Sequence, residues 1–267
     1  MTETAPVRKP LGQEIEAAMA TIRATPEAPA PRMALFQLAC VVGDWVRARS
    51  QLDTLTTLDR EYTFFARVYS RLIDAEQVRM RVFAGTEQPV AFGEPVAWLA
   101  MLAQALQLNG KGEAVHASEL RERARQAAEA RPGRIGDDDF AWLMDADPRL
   151  GPTLEIVIDG QYRWLSLDKV RELRAEAPRA MRDLIWQPAT FTLTNGKEFS
   201  VFVPVRYPGS ELERDDPVRL AQETRWSERD GEQWGLGQRM LTTDVGDYPF
   251  LDIRRLRFTE EGVGPDA

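Results

Sequence analysis

The side chains that do most enzymatic chemistry are scarce in this chain. It has a single cysteine and a single histidine. A lone Cys40 excludes a disulfide within the chain and points to a reducing compartment. Its place in the apolar stretch 35–42 makes it a small buried hydrophobe rather than a reactive thiol. His116 has no Cys, Asp or Glu at a metal-ligand spacing, which argues against zinc, whose sites need three or four protein ligands. The lysine–serine pair of a phosphate-binding loop is missing. Gly235 and Gly237 lack the third glycine and the strand–helix setting of a dinucleotide loop. Ser210 follows Gly209 but without the spacing of a nucleophile elbow. Asp137, Asp138 and Asp139 lack the alternation and central glycine of a calcium loop. No stretch approaches the ~20 apolar residues that span a bilayer. The first ten residues carry no apolar core of a secretory signal. These readings predict a cytoplasmic protein with no membrane contact, cofactor or metal.

Charge is unevenly spread. The formal net charge is −8. Residues 1–130 hold fifteen basic and sixteen acidic side chains, and the remainder nineteen and twenty-six. An acidic second half argues against nucleic acid, whose phosphates need a basic face.

What the chain does contain changes character near its middle. From 11 to 24, Ile15, Ala18, Met19 and Ile22 share a helical face. Pro26, Pro29 and Pro31 then predict a stiff non-helical connector, so residues 1–31 read as one helix and a linker. A helix from Arg32 to Val42 breaks at Gly43, and Asp44 caps the next, whose stripe is Trp45, Ala48, Leu52 and Leu55. A longer helix runs from about Arg60 to Phe83 and ends at Gly85. Pro95 suits a first helical turn, and Trp98, Leu99, Leu102 and Leu106 mark the helix after it. The last, Glu113 to Ala128, has an alanine-rich face. Residues 32–130 thus predict a tetratricopeptide-like α-helical solenoid without the full repeat signature.

Residues 131–139, with proline, glycines and three aspartates, read as a solvated linker. Beyond it the period shifts toward two. Thr153–Ile158 and Tyr162–Leu165 flank the turn Asp159-Gly160, and 188–194 and 197–204 flank Asn195-Gly196. Met240–Thr243 and 249–258 add two strands. The fold class is therefore α+β, with a small antiparallel, partly open barrel-like β-rich domain over 140–258. A disordered tail is expected over 259–267.

Three rigid clusters stand out: Asp145-Ala146-Asp147-Pro148-Arg149-Leu150-Gly151-Pro152, Arg206-Tyr207-Pro208-Gly209-Ser210, and Trp234-Gly235-Leu236-Gly237-Gln238-Arg239. With Leu35-Phe36-Gln37, Gly43-Asp44-Trp45, Gly93-Glu94-Pro95, Arg182-Asp183-Leu184-Ile185-Trp186 and Thr243-Asp244, in order from about 32 to 257, they resemble the ImpE family. Its members, also called TagJ or SciE, are accessory proteins of bacterial type VI secretion systems. The resemblance implies a non-enzymatic adaptor. Such proteins associate with the contractile sheath, in some systems through the N-terminal helix of the small sheath subunit. They also contact the AAA+ ATPase that disassembles contracted sheath.

The motifs themselves read as architecture. A guanidinium gives one aspartate a bidentate partner while the other caps a turn. Asp145, Asp147, Arg149, Gly151, Arg182, Asp183, Arg206, Tyr207 and Arg239 are accordingly expected to brace the two halves. Two other readings remain open: a hydrolase or metal enzyme using Asp145, Asp147 and Arg149, or a general peptide-binding scaffold. For partner contact the expected anchors are Trp226 and Trp234, which bracket an acidic loop from Ser227 to Gln233, with Arg67 and Arg71 on the long helix.

Overall fold

A computed structural model describes residues 9–94, 96–229 and 231–259. Six helices come first: α1 (Leu11–Ala24), α2 (Pro29–Val41), α3 (Trp45–Leu58), α4 (Thr63–Phe83), α5 (Ala97–Gly110) and α6 (Ala114–Ala127). Asp44 caps α3 by accepting a hydrogen bond from the Arg47 N–H at 3.0 Å. A single 3-10 turn, Arg60–Tyr62, leads into α4. α5 and α6 form a tight antiparallel hairpin. The C-terminal end of α4 meets α5 closely, for a Cβ on Gly85 would lie 2.4 Å from the Leu106 carbonyl oxygen.

The prolines at 29 and 31 do not form a connector. Pro29 is the first residue of α2. First-turn N–H groups have no intrahelical acceptor, so a missing donor costs nothing there.

The second half is antiparallel β. Its strands are β1 (Gly133–Ile135), β2 (Asp138–Phe140), β3 (Leu143–Asp145), β4 (Thr153–Ile158), β5 (Gln161–Ser166), β6 (Val170–Ala175), β7 (Trp186–Leu193), β8 (Glu198–Pro204), β9 (Thr224–Arg229), β10 (Glu232–Gly237), β11 (Met240–Thr243), β12 (Asp247–Pro249) and β13 (Arg255–Phe258). A one-turn helix, α7 (Asp216–Arg219), lies between β8 and β9. Eight strands form one sheet in the order β2-β1-β13-β6-β7-β8-β4-β5, beside a three-stranded sheet β12-β11-β3 and a two-stranded ribbon β10-β9. The outer edge of β5 is covered by residues 90–92: the Trp164 N–H donates to the Val90 carbonyl and the Phe92 N–H to the Trp164 carbonyl. Covering an edge in this way removes a site of unwanted pairing.

Three sequence readings need correction. Residues 131–139 are not a linker but the β1–β2 hairpin, turning at Gly136 with φ +57°. Ile135 and Phe140 are buried there, and Arg134 pairs with Asp139, so the acidic run is an exposed strand face. Residues 227–229 and 232–233 are not a loop but belong to the paired strands of the β9–β10 ribbon. Residues 249–258 are two strands, because Pro249 ends β12 and Phe250–Asp252 turns inward as a 3-10 helix. The expected tail lies outside the described residues beyond Thr259, as does Pro95.

One core joins the two halves. Phe36, Leu52, Leu72, Ile73 and Trp98 from the helices pack in a single cluster with Val157, Tyr162, Trp164, Trp186 and Tyr207 from the β half. The other face of the sheet carries a second core, with Leu154, Ile156, Leu165, Phe191, Leu241 and Phe250. β4 thus alternates between two buried faces, Glu155 and Val157 toward the helices and Leu154 and Ile156 away.

Candidate functional site

The polar motifs converge at the seam between helices and sheet. The loop 145–151 is closed by its own backbone: the Asp145 N–H donates to the Gly151 carbonyl at 2.7 Å, and the Gly151 N–H to the Asp147 carbonyl at 3.0 Å. Gly151 takes φ +50° there. Asp145 Oδ1 accepts from the Asp147 N–H at 2.9 Å and from the Tyr207 hydroxyl at 2.8 Å. Its Oδ2 accepts from Arg239 Nε at 2.9 Å. Arg149 holds Asp147 with a two-pronged guanidinium contact, and Asp147 also accepts from the Gly235 N–H at 2.8 Å. Gly235 is glycine for a steric reason, since a Cβ would fall 2.3 Å from the Tyr207 ring.

Helix α4 enters this network from the other side. Arg79 donates from Nε to Glu155 Oε1 at 2.7 Å, from Nη1 to Glu76 Oε1 at 3.0 Å and from Nη2 to the Arg206 carbonyl at 2.8 Å. Glu155 also meets Arg239 at 3.3 Å and the Tyr162 hydroxyl. Glu76 accepts from Trp186 Nε1 at 3.0 Å. The Arg206 guanidinium donates to the Val41 carbonyl at 2.7 Å and the Arg219 carbonyl at 2.6 Å, so one cation serves the C-terminal ends of α2 and α7. Arg182 Nε donates to the Tyr69 hydroxyl at 2.8 Å, and its N–H to Gln37 at 3.2 Å. Asp183 caps the 3-10 turn Met181–Leu184, accepting from the Ala180 N–H at 3.0 Å.

The electrostatics follow from burial. Asp145 and Asp147 are 1% and 0% exposed. Burial pushes the Asp145 carboxyl up to about 6, against the pull of Arg239. Burial would also raise Glu155, but Arg79 and Arg239 outweigh it and hold that carboxyl below its usual range. Burial lowers Arg206, with Glu211 opposing. Burial likewise raises the Cys40 thiol far above its ordinary value, so it stays protonated and inert.

All nine residues expected to brace the halves lie at or beside this seam, and all but Arg182 are buried. The four expected partner anchors do not converge. Trp226 is 41% exposed and rests beside Tyr207, with ring centroids 5.7 Å apart. Trp234 is half-buried between Arg149 and Arg229, whose guanidinium carbons lie 4.6 and 5.6 Å from ring centroids. Arg67 and Arg71 are exposed near the other end of α4. From Arg67 to Phe83, which shares Arg149 with Trp234, α4 rises about 24 Å at 1.5 Å per residue. His116 is exposed and lies 3.5 Å from Glu113. Among the described residues no group of three metal-ligating side chains converges.

Glu76, Arg79 and Glu155 were not singled out from the sequence. A signal existed. Glu76 and Arg79 continue the apolar stripe of Tyr69 and Leu72 on α4, and Glu155 interrupts an otherwise apolar strand. A charge on a buried face demands a partner.

The ImpE family model matches residues 137–257, from the β1–β2 hairpin to β13. The type VI secretion system accessory component TagJ of Pseudomonas aeruginosa is 42% identical over 250 residues, covering 93% of this chain and 87% of that protein. The chain belongs to the ImpE/TagJ family. A crystal structure of a Vibrio parahaemolyticus protein has the same fold, with a TM-score of 0.84 over 94% of both chains at 24% identity. Among the described residues, no helix of this ImpE-family protein is long and apolar enough to cross a membrane.

Proposed function

We propose that this chain is a non-enzymatic accessory protein of a type VI secretion system. In this reading it binds the N-terminal helix of the small sheath subunit and helps present sheath to the AAA+ disassembly ATPase from the cytoplasm. The observation that carries the reading is kinship: 42% identity, along nearly the whole chain, to a protein named as a type VI secretion system accessory component. The site geometry supports it. Asp145, Asp147 and Arg149 spend their polar atoms on one another and on Gly235, Tyr207 and Arg239, which is the chemistry of a brace. A catalytic carboxylate must instead meet a substrate.

The helical half, read as a tetratricopeptide-like stack, supplies surface for a helix to lie on. We assign the docking face to the exposed side of α4. Phe64, Arg67 and Arg71 fall at helical spacing on one side. Phe64 is 67% exposed, and Arg67 stacks 5.5 Å from its ring centroid. An aromatic ring with two cations suits an amphipathic helix bearing carboxylates.

Calorimetric titration with a peptide copying the small sheath subunit's first helix tests this. Binding in the micromolar range is expected, weakened about tenfold or more by Arg67→Glu with Arg71→Glu. Absence of binding at low salt contradicts the reading.

A further inference from the structure

The β9–β10 ribbon stands apart from both larger sheets, and among the described residues only one of its two edges is occupied. On β10, the Gly235 N–H donates to Asp147 Oδ2 at 2.8 Å and the Gly237 N–H to Ser210 Oγ at 2.8 Å. The Tyr207 N–H donates to the Gly237 carbonyl at 2.9 Å. These bonds point away from β9. In an antiparallel ladder, directly opposed residues aim their backbone groups the same way, inward together or outward together. Gly235 lies opposite Trp226 and Gly237 opposite Thr224. The N–H and C=O groups of Thr224, Trp226 and, by the same alternation, Glu228 therefore face outward along β9. Among the described residues nothing meets those of Trp226 and Glu228. Four of the six residues of β9 are exposed and Thr224 and Ser227 are half-buried, and Trp226 sits near its middle.

We propose that the β9 edge pairs with the β9 edge of a second copy of this chain, closing a four-stranded antiparallel sheet across a two-fold axis. Charge selects both the occupant and the register. Outward-facing residues must oppose one another, which leaves registers two residues apart. Setting Trp226 against Trp226 of the second copy places Glu223 against Arg229, Thr224 against Glu228 and Arg225 against Ser227. No like charges then oppose, two Glu–Arg pairs flank the centre, and the aromatic pair lies on the axis. Sliding by one step in one direction sets Arg225 against Arg229. Sliding the other way sets Arg225 against itself. Both place like charges directly opposite, which is unfavourable. Among registers that pair most of β9, the charges that usually make an edge strand repel a partner here favour the one centred on Trp226.

The pairing predicts a specific cross-link. Directly opposed hydrogen-bonded residues have Cα atoms about 5.5 Å apart, within disulfide reach. In the stated register the two copies of Ser227 are about 8 Å apart, beyond it. Full-length Trp226→Cys and Ser227→Cys proteins, oxidised under mild conditions, are resolved on a non-reducing gel; buried Cys40 does not compete. The expected result is a covalent dimer from Trp226→Cys alone, abolished by adding Arg229→Glu. Sedimentation of the protein without new cysteines, from micromolar to near-millimolar concentration, gives a readout independent of those variants. A monomer–dimer equilibrium is expected, with its dissociation constant raised about tenfold or more by Arg229→Glu and restored by Glu223→Arg with Arg229→Glu. A protein monomeric throughout, or a cross-link forming at 227 and not at 226, overturns the proposal. Neither outcome bears on whether the sheath helix binds α4.

Discussion

Asp145 shows how a single buried carboxyl sets a pH dependence. Its value of about 6 in the folded protein lies above the ordinary aspartate value, because burial costs the anion more than Arg239 returns. The folded state therefore holds its proton more tightly than the unfolded chain. Between about pH 4 and 6 the native state binds more protons, so this group's contribution to stability falls as pH rises, and it is flat above 6. The stability advantage of the native protein over Asp145→Asn should shrink by about 3 kcal/mol across that window. Urea titrations of both proteins at several pH values measure it. A pH-independent difference, or one growing with pH, contradicts the assignment. Glu155 has the opposite sign, its carboxyl being held down by Arg79 and Arg239, so stability from that group is lost in acid.

At the scale of elements, α4 matters most, because it carries charge into the seam. Arg79 is 3% exposed and ties α4 to Glu155 on β4 and to the Arg206 carbonyl. Removing one partner of a buried pair strands the other, whereas replacing both by apolar groups is far less costly. Arg79→Met should cost about 3–5 kcal/mol. Arg79→Met with Glu155→Leu should recover part of that, the reverse of additive behaviour. Chemical denaturation of Arg79→Met, Glu155→Leu and the double variant tests it, and strictly additive losses would contradict a shared buried network.

The elements also show what was legible beforehand. The helices of the first half have long apolar stripes, so α1 and the start of α3 could be read to the residue. The β4–β5 and β7–β8 hairpins announced themselves through Asp159-Gly160 and Asn195-Gly196. The β1–β2 and β9–β10 hairpins did not. Their strands are short or exposed and carry charge on the solvent side, so no alternation of apolar and polar survives. The helix in 29–31 was hidden because proline at a first turn looks the same in sequence as proline in a linker. In the site, Asp145, Asp147, Arg149, Tyr207 and Arg239 were marked by their rigid surroundings. Their partners Glu76, Arg79 and Glu155 were marked only as charges on apolar faces, which shows that a partner is needed but not which residue, here 76 positions away, supplies it.

The whole molecule is two layers bound by one shared core and one buried ionic seam, with function left to the outer surfaces. Trp164 and Trp186 of the sheet are fully buried against the helices, so neither half presents a finished core alone. This division places the conspicuous motifs inside and leaves the two proposed contact faces, the Phe64–Arg71 side of α4 and the open edge of β9, on plain-looking surface. The most direct test is calorimetric titration of the Asp147→Asn protein with the sheath-helix peptide, below that protein's lowered melting temperature. The account predicts the native affinity. Loss of binding in a protein that still melts at the native temperature would mean that Asp147 serves the ligand rather than the fold.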